Sequence, residues 1–326
     1  MADLNRLGEN RFLVLGRAGM DLYPDPPGTS IEEARRFTAC LGGSSGNIAA
    51  GLARHGAQVA LVTRVSQDPV GQFCLKELES YGIETSYVTT STGETRTSLA
   101  LAESRLENHQ AVLYRNGAAD FEMSAEDVQK IDYTRFSALI ATGTCLAAEP
   151  SRSATFKAFE MASAAGLPVI FDIDYRPYSW PSADIAAETY SRAADLCDII
   201  IGNDVEFGFM AGDYDQGLAK ARQLAADSAQ IVVYKMGEKG AITLTKAGET
   251  QTGIFQVQAL KPVGAGDAFM GGFVASLAAG HSVKDAVTRG SACASIVVSR
   301  VGCAPAMPTP AELSDFLNTH PGPTLP

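Results

Sequence analysis

Residues 139–172 read LIATGTCLAAEPSRSATFKAFEMASAAGLPVIFD. The ends of this stretch, Leu139 to Thr142 and Val169 to Asp172, are short apolar runs. Between them, Arg152 to Ala165 has the periodicity of a helix. A strand, a helix and a strand in that order form a crossover, which makes the two strands parallel neighbours. The same rhythm extends in both directions. Phe12 to Gly16, Val59 to Val65, Ile199 to Gly202 and Ile231 to Met236 read as further strands, rich in Val and Ile. Asn47 to His55, Val70 to Tyr81 and Leu218 to Ala226 read as helices. The alternation predicts an α/β fold with a central, mostly parallel sheet flanked by helices on both faces. Sheets of this kind place ligands beyond the carboxyl ends of their strands. Asp172, Asp174, Asn203 and Gly237 all fall at such ends.

Two stretches break the rhythm. Asp21 to Leu41 is turn-rich, with Pro24, Pro26, Pro27 and Gly28, and ends in a short Phe37 to Leu41 segment. Arg96 to Tyr114 holds two strand-like runs, Ser98 to Ala102 and Ala111 to Arg115, around a charged turn. Strands without crossover helices suggest a small β-sheet lid built from segments of about 17–41 and 95–120. A decorative insertion is the alternative. The C-terminal part reads as helices over Ala268 to Ala279 and Val283 to Ser299. Thr309-Pro310 opens a last one, with Thr as N-cap and Pro at the first position. Thr319 to Pro326 is expected to fray. With no repeat and no long linker, residues 1–326 read as a single domain.

Composition narrows the function. The chain has 326 residues, 46% hydrophobic, with 26 Lys+Arg against 37 Asp+Glu and a net charge of -11. An acidic chain without a basic run lacks the footprint for nucleic acid or an anionic membrane. The six cysteines are scattered without a C-x-x-C pair, as expected of buried thiols in a reducing cytoplasm. Met1 to Asn10 has no apolar signal core, and no run is long enough to span a bilayer, so a soluble cytoplasmic protein is expected.

The chemistry concentrates at Gly264-Ala265-Gly266-Asp267-Ala268-Phe269. Two glycines before an acid that opens a helix let consecutive N–H groups point at one spot, where the helix dipole adds positive potential. Such a socket suits a transferring phosphoryl group, and Asp267 could take a proton from an attacking hydroxyl. Read alone, the string serves equally as a loop with an N-cap aspartate.

The rest of the chain resembles the ribokinase-like, or PfkB, family of carbohydrate kinases over nearly its whole length. Gly42-Gly43-Ser44-Ser45-Gly46-Asn47-Ile48-Ala49 matches the N-terminal signature, and Gly264 to Asp267 the C-terminal one. The resemblance implies that Gly42 and Gly43 let a sugar approach the backbone and that Asn47 and Asp21 bind its hydroxyls. It implies an anion hole at Gly264, Ala265 and Gly266, with Asp267 as catalytic base. Asn203 and Glu206 match an Asn-x-x-Glu element that organises Mg²⁺ and phosphate, so Glu206 is the metal-side carboxylate. Lys235, Gly237 and Gly240 match the glycine-bearing turn beside the nucleotide. ATP and Mg²⁺ are the implied cofactors. The family usually has an Asp-Thr pair just before the glycine motif, which commonly contributes to a monovalent-cation site. Lys261-Pro262-Val263 stands there instead and leaves a monovalent cation open.

Within the family, Tyr114-Arg115 and Tyr175-Arg176-Pro177 place arginines near strand ends. Their planar forks suit a carboxylate, which points to sugar-acid kinases. Ordinary ion pairs with Asp120, Asp172 or Asp174 are the alternative. Adenine is expected in an apolar slot between the turn after Lys235 and the helix holding Ala292 to Val298, although those residues serve equally as core. A lid edge invites pairing in trans, so a homodimer is the expected assembly. Two other classes have weaker support. Gly42-Gly43-Ser44-Ser45-Gly46 satisfies the G-x-S-x-G of serine hydrolases, but none of His55, His109, His281 and His320 has a recognisable setting. A non-catalytic sugar- or nucleotide-binding regulator would not need Asp267.

Overall fold

The structure, a computed structural model, describes residues 2–325. Strand β1 (Arg11–Leu15) shows how the core is made. Phe12 and Val14 enter one apolar layer and Leu13 and Leu15 the other, all fully buried. This is the two-residue period of a strand covered on both faces, which is why its sequence is continuously apolar. Each such side chain contributes about 2 kcal/mol through burial.

The chain continues through β2 (Gly19–Pro24), β3 (Phe37–Gly42), α1 (Ser44–Arg54), β4 (Gln58–Ser66), α2 (Pro69–Ser80) and β5 (Val88–Ser91). Next come β6 (Leu99–Ala102), β7 (Ala111–Tyr114), α3 (Ala125–Gln129), β8 (Ala138–Thr142), α4 (Ser151–Ala164), β9 (Val169–Asp172) and α5 (Ala183–Ala194). They are followed by β10 (Ile199–Asn203), α6 (Asp204–Ala211), α7 (Gly217–Asp227), β11 (Ile231–Lys235), β12 (Ala241–Thr245) and β13 (Gly248–Thr252). Three helices close the chain: α8 (Ala265–Ala278), α9 (Val283–Val298) and α10 (Pro310–Thr319).

A nine-stranded sheet runs in the order β13-β12-β11-β10-β9-β8-β1-β4-β5. All pairings from β11 to β5 are parallel, and the β12–β13 hairpin adds an antiparallel edge. One face packs on α4, α5, α6 and α7, the other on α1, α8 and α9. A second sheet, β3-β2-β6-β7, stands apart.

The expected strands of the main sheet lie within a residue or two of those found. Four kinds of difference stand out. The segment expected to be turn-rich from Asp21 begins as strand β2, paired with β3 so that Asp21 faces Cys40. Its buried carboxylate and flanking prolines hide the alternation in the sequence. Helices α1 and α8 start three residues earlier than expected, because Gly43 (φ 85°) and Gly264 (φ 88°) turn the chain directly into the helix. The β12–β13 hairpin, strand β5 and helices α3, α5 and α6 were not foreseen from the residues. Finally, the tail does not simply fray: Thr324 and Ile254 exchange backbone hydrogen bonds of 2.9 and 3.1 Å. Elsewhere the signals hold, as where Thr309 and Glu312 form the capping box that opens α10.

Candidate active site

Helices α1 and α8 cross closely because each has glycine at the crossing; a Cβ on Gly51 would lie 3.6 Å from Gly271 Cα. Their N-termini therefore open on the same space, beyond the carboxyl ends of β1, β9, β10 and β11. There Asn47 Nδ2 donates to Asp267 Oδ2 at 2.7 Å, joining signatures 220 residues apart. The two meet in a cleft of about 590 Å³ whose walls include Arg17, Asp21, Gly43, Asn47, Asp174, Arg176, Lys235 and Asp267. The second sheet covers it with Ala100, Ala102, Val112 and Leu113.

Asp267 lies in the first turn of α8. The first bond within the helix is Ala268 N to Gly264 O, 3.0 Å, so the N–H groups of Ala265, Gly266 and Asp267 have no partner inside the helix. A helix N-terminus would lower a carboxylate pKa. Burial dominates instead, reinforced by the Asp174 charge, and pushes Asp267 up to about 7 against the Asn47 hydrogen bond and the Arg176 and Arg17 charges. A carboxylate poised there is suited to proton abstraction at neutral pH.

Other carboxylates surround it. Asp172, at the end of β9, is raised well above the ordinary range by burial, with Lys235 opposing and Asp174, Glu206 and Asp267 adding to the rise. Asp174 stands at φ 41°, an uncommon left-handed position, and pairs with Arg176 at 2.6 Å. Burial would raise it, but Arg176, Ser44, Arg17 and Arg115 together hold it low. Asp21 is raised by burial, and Oδ1 has no protein partner. Gly42 lies just outside the cleft wall, where any side chain would collide with the Asp21 carboxylate.

A second, apolar slot of about 260 Å³ adjoins the cleft and shares Asn203, Lys235 and Gly266 with it. Sheet register explains part of this, since Asn203 and Lys235 are paired across β10 and β11. Gly237, Gly240, Ile254, Ala265 and Phe269 complete one side. Gly240 has φ 82° and approaches the Thr252 carbonyl too closely for any side chain. The expected helix forms the other side, through Val287, Ser291 and Ala294, of which only Ala294 falls within Ala292 to Val298. Ala292 and Val297 face the opposite way, into a cluster with Phe255 and Leu313. One helix face cannot serve both.

Glu206 borders the cleft, but both its oxygens already accept backbone N–H groups, Oε2 from Asn203 (2.7 Å) and Oε1 from Tyr175 (3.1 Å). Among the described residues no three metal-ligating side chains are grouped to hold an ion. An all-protein metal cage is therefore absent from them. Mg²⁺ carried on phosphates with its own waters fits, with Asp172 and Glu206 as the carboxylates that would hold it.

Besides Gly42, two expected substrate residues, Tyr114 and Arg115, are not brought to the cleft. Arg115 is buried against Asp120, donates also to Thr144 O at 3.0 Å, and stacks on Phe121. Strand β7 ends at Tyr114, and the turn after it directs Arg115 inward. Tyr114 is 60% exposed. The cation that sequence reasoning passed over is Arg17, which lines the cleft, donates to Ser98 Oγ at 3.1 Å and leaves Nε without a partner. Its position directly after the first strand was the available signal. Ser44 borders the cleft, but no histidine does among the described residues; His55 lies at the far end of α1 beside Cys293. The hydrolase reading lacks its base.

The model of the pfkB family of carbohydrate kinases matches residues 9–310. The chain is 38% identical, over 95% of its length and 94% of the relative's, to 5-dehydro-2-deoxygluconokinase of Geobacillus kaustophilus. Among solved structures it resembles a PfkB protein from Polaromonas sp. JS666 (TM-score 0.81, 28% identity, 93% of this chain and 99% of that one). It also resembles a fructokinase double mutant from Vibrio cholerae O395 with fructose, ADP and potassium ion bound (TM-score 0.83, 26% identity, 94% and 98%).

Proposed function

The chain belongs to the pfkB family of carbohydrate kinases, and from that premise we propose that it phosphorylates a sugar acid, 2-deoxy-5-keto-D-gluconate at O6, with ATP as donor. The observation that carries the reading is Asp267, a carboxyl with a pKa of about 7 at a helix N-terminus that borders the cleft. Next to it, Gly266 and Lys235 are common to the cleft and the slot. The sugar occupies the cleft and the nucleotide the slot, so the terminal phosphate reaches the shared wall. Asp21 and Asn47 bind sugar hydroxyls. Asp267 takes the proton of the attacking hydroxyl, and the free N–H groups of Ala265, Gly266 and Asp267 receive the negative charge gained by the transferring group. Lys235 offers a cation at the junction. Mg²⁺, when bound, neutralises phosphate charge.

Arg17 and Arg176 supply the charge that a carboxylate requires and a neutral sugar does not. The relatives named 5-dehydro-2-deoxygluconokinase support this choice over 2-keto-3-deoxygluconate or fructose. The β3-β2-β6-β7 sheet acts as the lid. Its outer strand β7 leaves an edge free in the four-stranded order, and pairing with a second copy there would give the homodimer.

The test is an ADP-release assay on 2-deoxy-5-keto-gluconate, 2-keto-3-deoxygluconate, fructose and ribose, with Asp267→Asn as control. Turnover is expected to be highest on the first and to fall at least about 100-fold in the variant, with ATP affinity nearly intact. ATP consumption with none of the four, or near-normal turnover by the variant, would sink the reading.

A further inference from the structure

Lys261 lies three residues before Gly264, and its side chain is sealed from solvent. The ammonium donates to two backbone carbonyls, Val263 O at 2.6 Å and Val297 O at 3.3 Å. The groups that face it, Cys303, Asp267, Asp21 and Cys40, act on it through space. Burying an ammonium is costly even after relaxation. Filling this space alone would be served as well by methionine.

The two carbonyls explain what the charge does. Val297 is in the last turn of α9, at the negative end of the dipole, and its carbonyl accepts Arg300 N–H at 3.2 Å as well as the ammonium. Val263 O precedes the Gly264 turn that starts α8. Leu260 N and Lys261 N strengthen the same joint by donating to Val298 O at 2.7 and 3.1 Å. Gly264 rests on this joint too, since a Cβ there would be 2.5 Å from Cys303 Sγ and 3.3 Å from Val297 Cγ1. The ammonium therefore ties the end of one helix to the turn that aims the N–H groups of residues 265–267. Carbonyl oxygens around a monovalent charge are also how proteins hold potassium. The monovalent cation left open by Lys261-Pro262-Val263 does not fit at this joint, because the lysine fills it.

We propose that Lys261 is a tethered monovalent cation, a positioning residue that fixes the anion pocket and makes phosphoryl transfer independent of potassium. The proposal rests on the kinase reading of the 264–267 turn. Full-length protein, Lys261→Ala and Lys261→Met are to be compared in buffers containing potassium, ammonium or N-methylglucamine chloride at equal ionic strength. Two readouts are taken: turnover on whichever sugar is accepted, and thermal melting, which requires no sugar.

The unsubstituted protein is expected to ignore the cation in both. Lys261→Ala should lose about 100-fold in kcat with little change in sugar KM, as expected for a misplaced turn. Potassium or ammonium, but not N-methylglucamine, should restore part of its turnover and raise its melting temperature. Lys261→Met, whose thioether keeps the space filled, should be equally slow and not rescued. Potassium activation of the unsubstituted protein would overturn the proposal. So would full activity of Lys261→Met without potassium, or a loss in Lys261→Ala that no cation relieves in either readout. If Lys261→Ala does not fold, Lys261→Met and the unsubstituted protein decide. If no sugar is turned over, the substrate reading fails and the melts still judge Lys261.

Discussion

At Asp267, function and stability pull in opposite directions. Its pKa is raised from 3.8 to about 7, chiefly by burial. Across that window the folded chain holds a proton that the unfolded chain releases, so this residue's contribution to stability is lost as pH rises towards about 7. Asp267→Asn should therefore melt higher than the unsubstituted protein at pH values above that window, although it is the slower enzyme. Catalysis has the opposite slope, because a base must be deprotonated: kcat/KM should climb as pH passes through about 7. A profile flat from pH 5 to 9 would remove Asp267 from the proton transfer. Arg17 gives the second prediction at this scale. Its Nε has no protein partner, and a charge-assisted bond to substrate is worth about 1.5–3 kcal/mol. Arg17→Met should raise KM for the sugar acid about 10- to 100-fold while leaving a neutral sugar's KM unchanged. An equal effect on both sugars would show that Arg17 does not read the carboxylate.

Among the elements, the turn after β7 turned a plausible ligand into a structural pair. Arg115 and Asp120 have side chains only 3% and 5% exposed, and each is the other's main charge partner. Removing one member of a buried pair costs about 3–5 kcal/mol. Asp120→Ala is thus expected to lower stability by that order in a denaturant titration, with KM for sugar nearly unchanged in the folded fraction. A large KM change without destabilisation would return Arg115 to the binding site. The sequence could show an arginine near a strand end but not which way it points, since one residue of register reverses the direction of a side chain. The glycine motifs were legible for the converse reason. Gly43 and Gly264 require left-handed backbone just before a helix, and that requirement is written in the residue type.

In the whole molecule, the two sheets perform different tasks. The nine-stranded sheet, buried on both faces except at its edge strands, fixes the strand ends, whereas the inner side of the β3-β2-β6-β7 sheet forms the cleft's cover. Strands β6 and β7 have four residues each, and β7 is largely exposed. If this sheet is a lid, sugar should slow amide hydrogen exchange in β6 and β7 while β8 to β10 remain unchanged; equal exchange with and without sugar would make it a fixed wall. The residues alone determined the alternation of strands and helices, the two glycine turns and the acid at the head of α8, because periodicity, backbone permissiveness and capping are local properties. Only the fold decided that Asn47 meets Asp267, that Arg17 rather than Arg115 faces the cleft, and that Lys261 is enclosed by carbonyls. Those outcomes depend on which distant segments pack together, and burial then sets the charge state of each group.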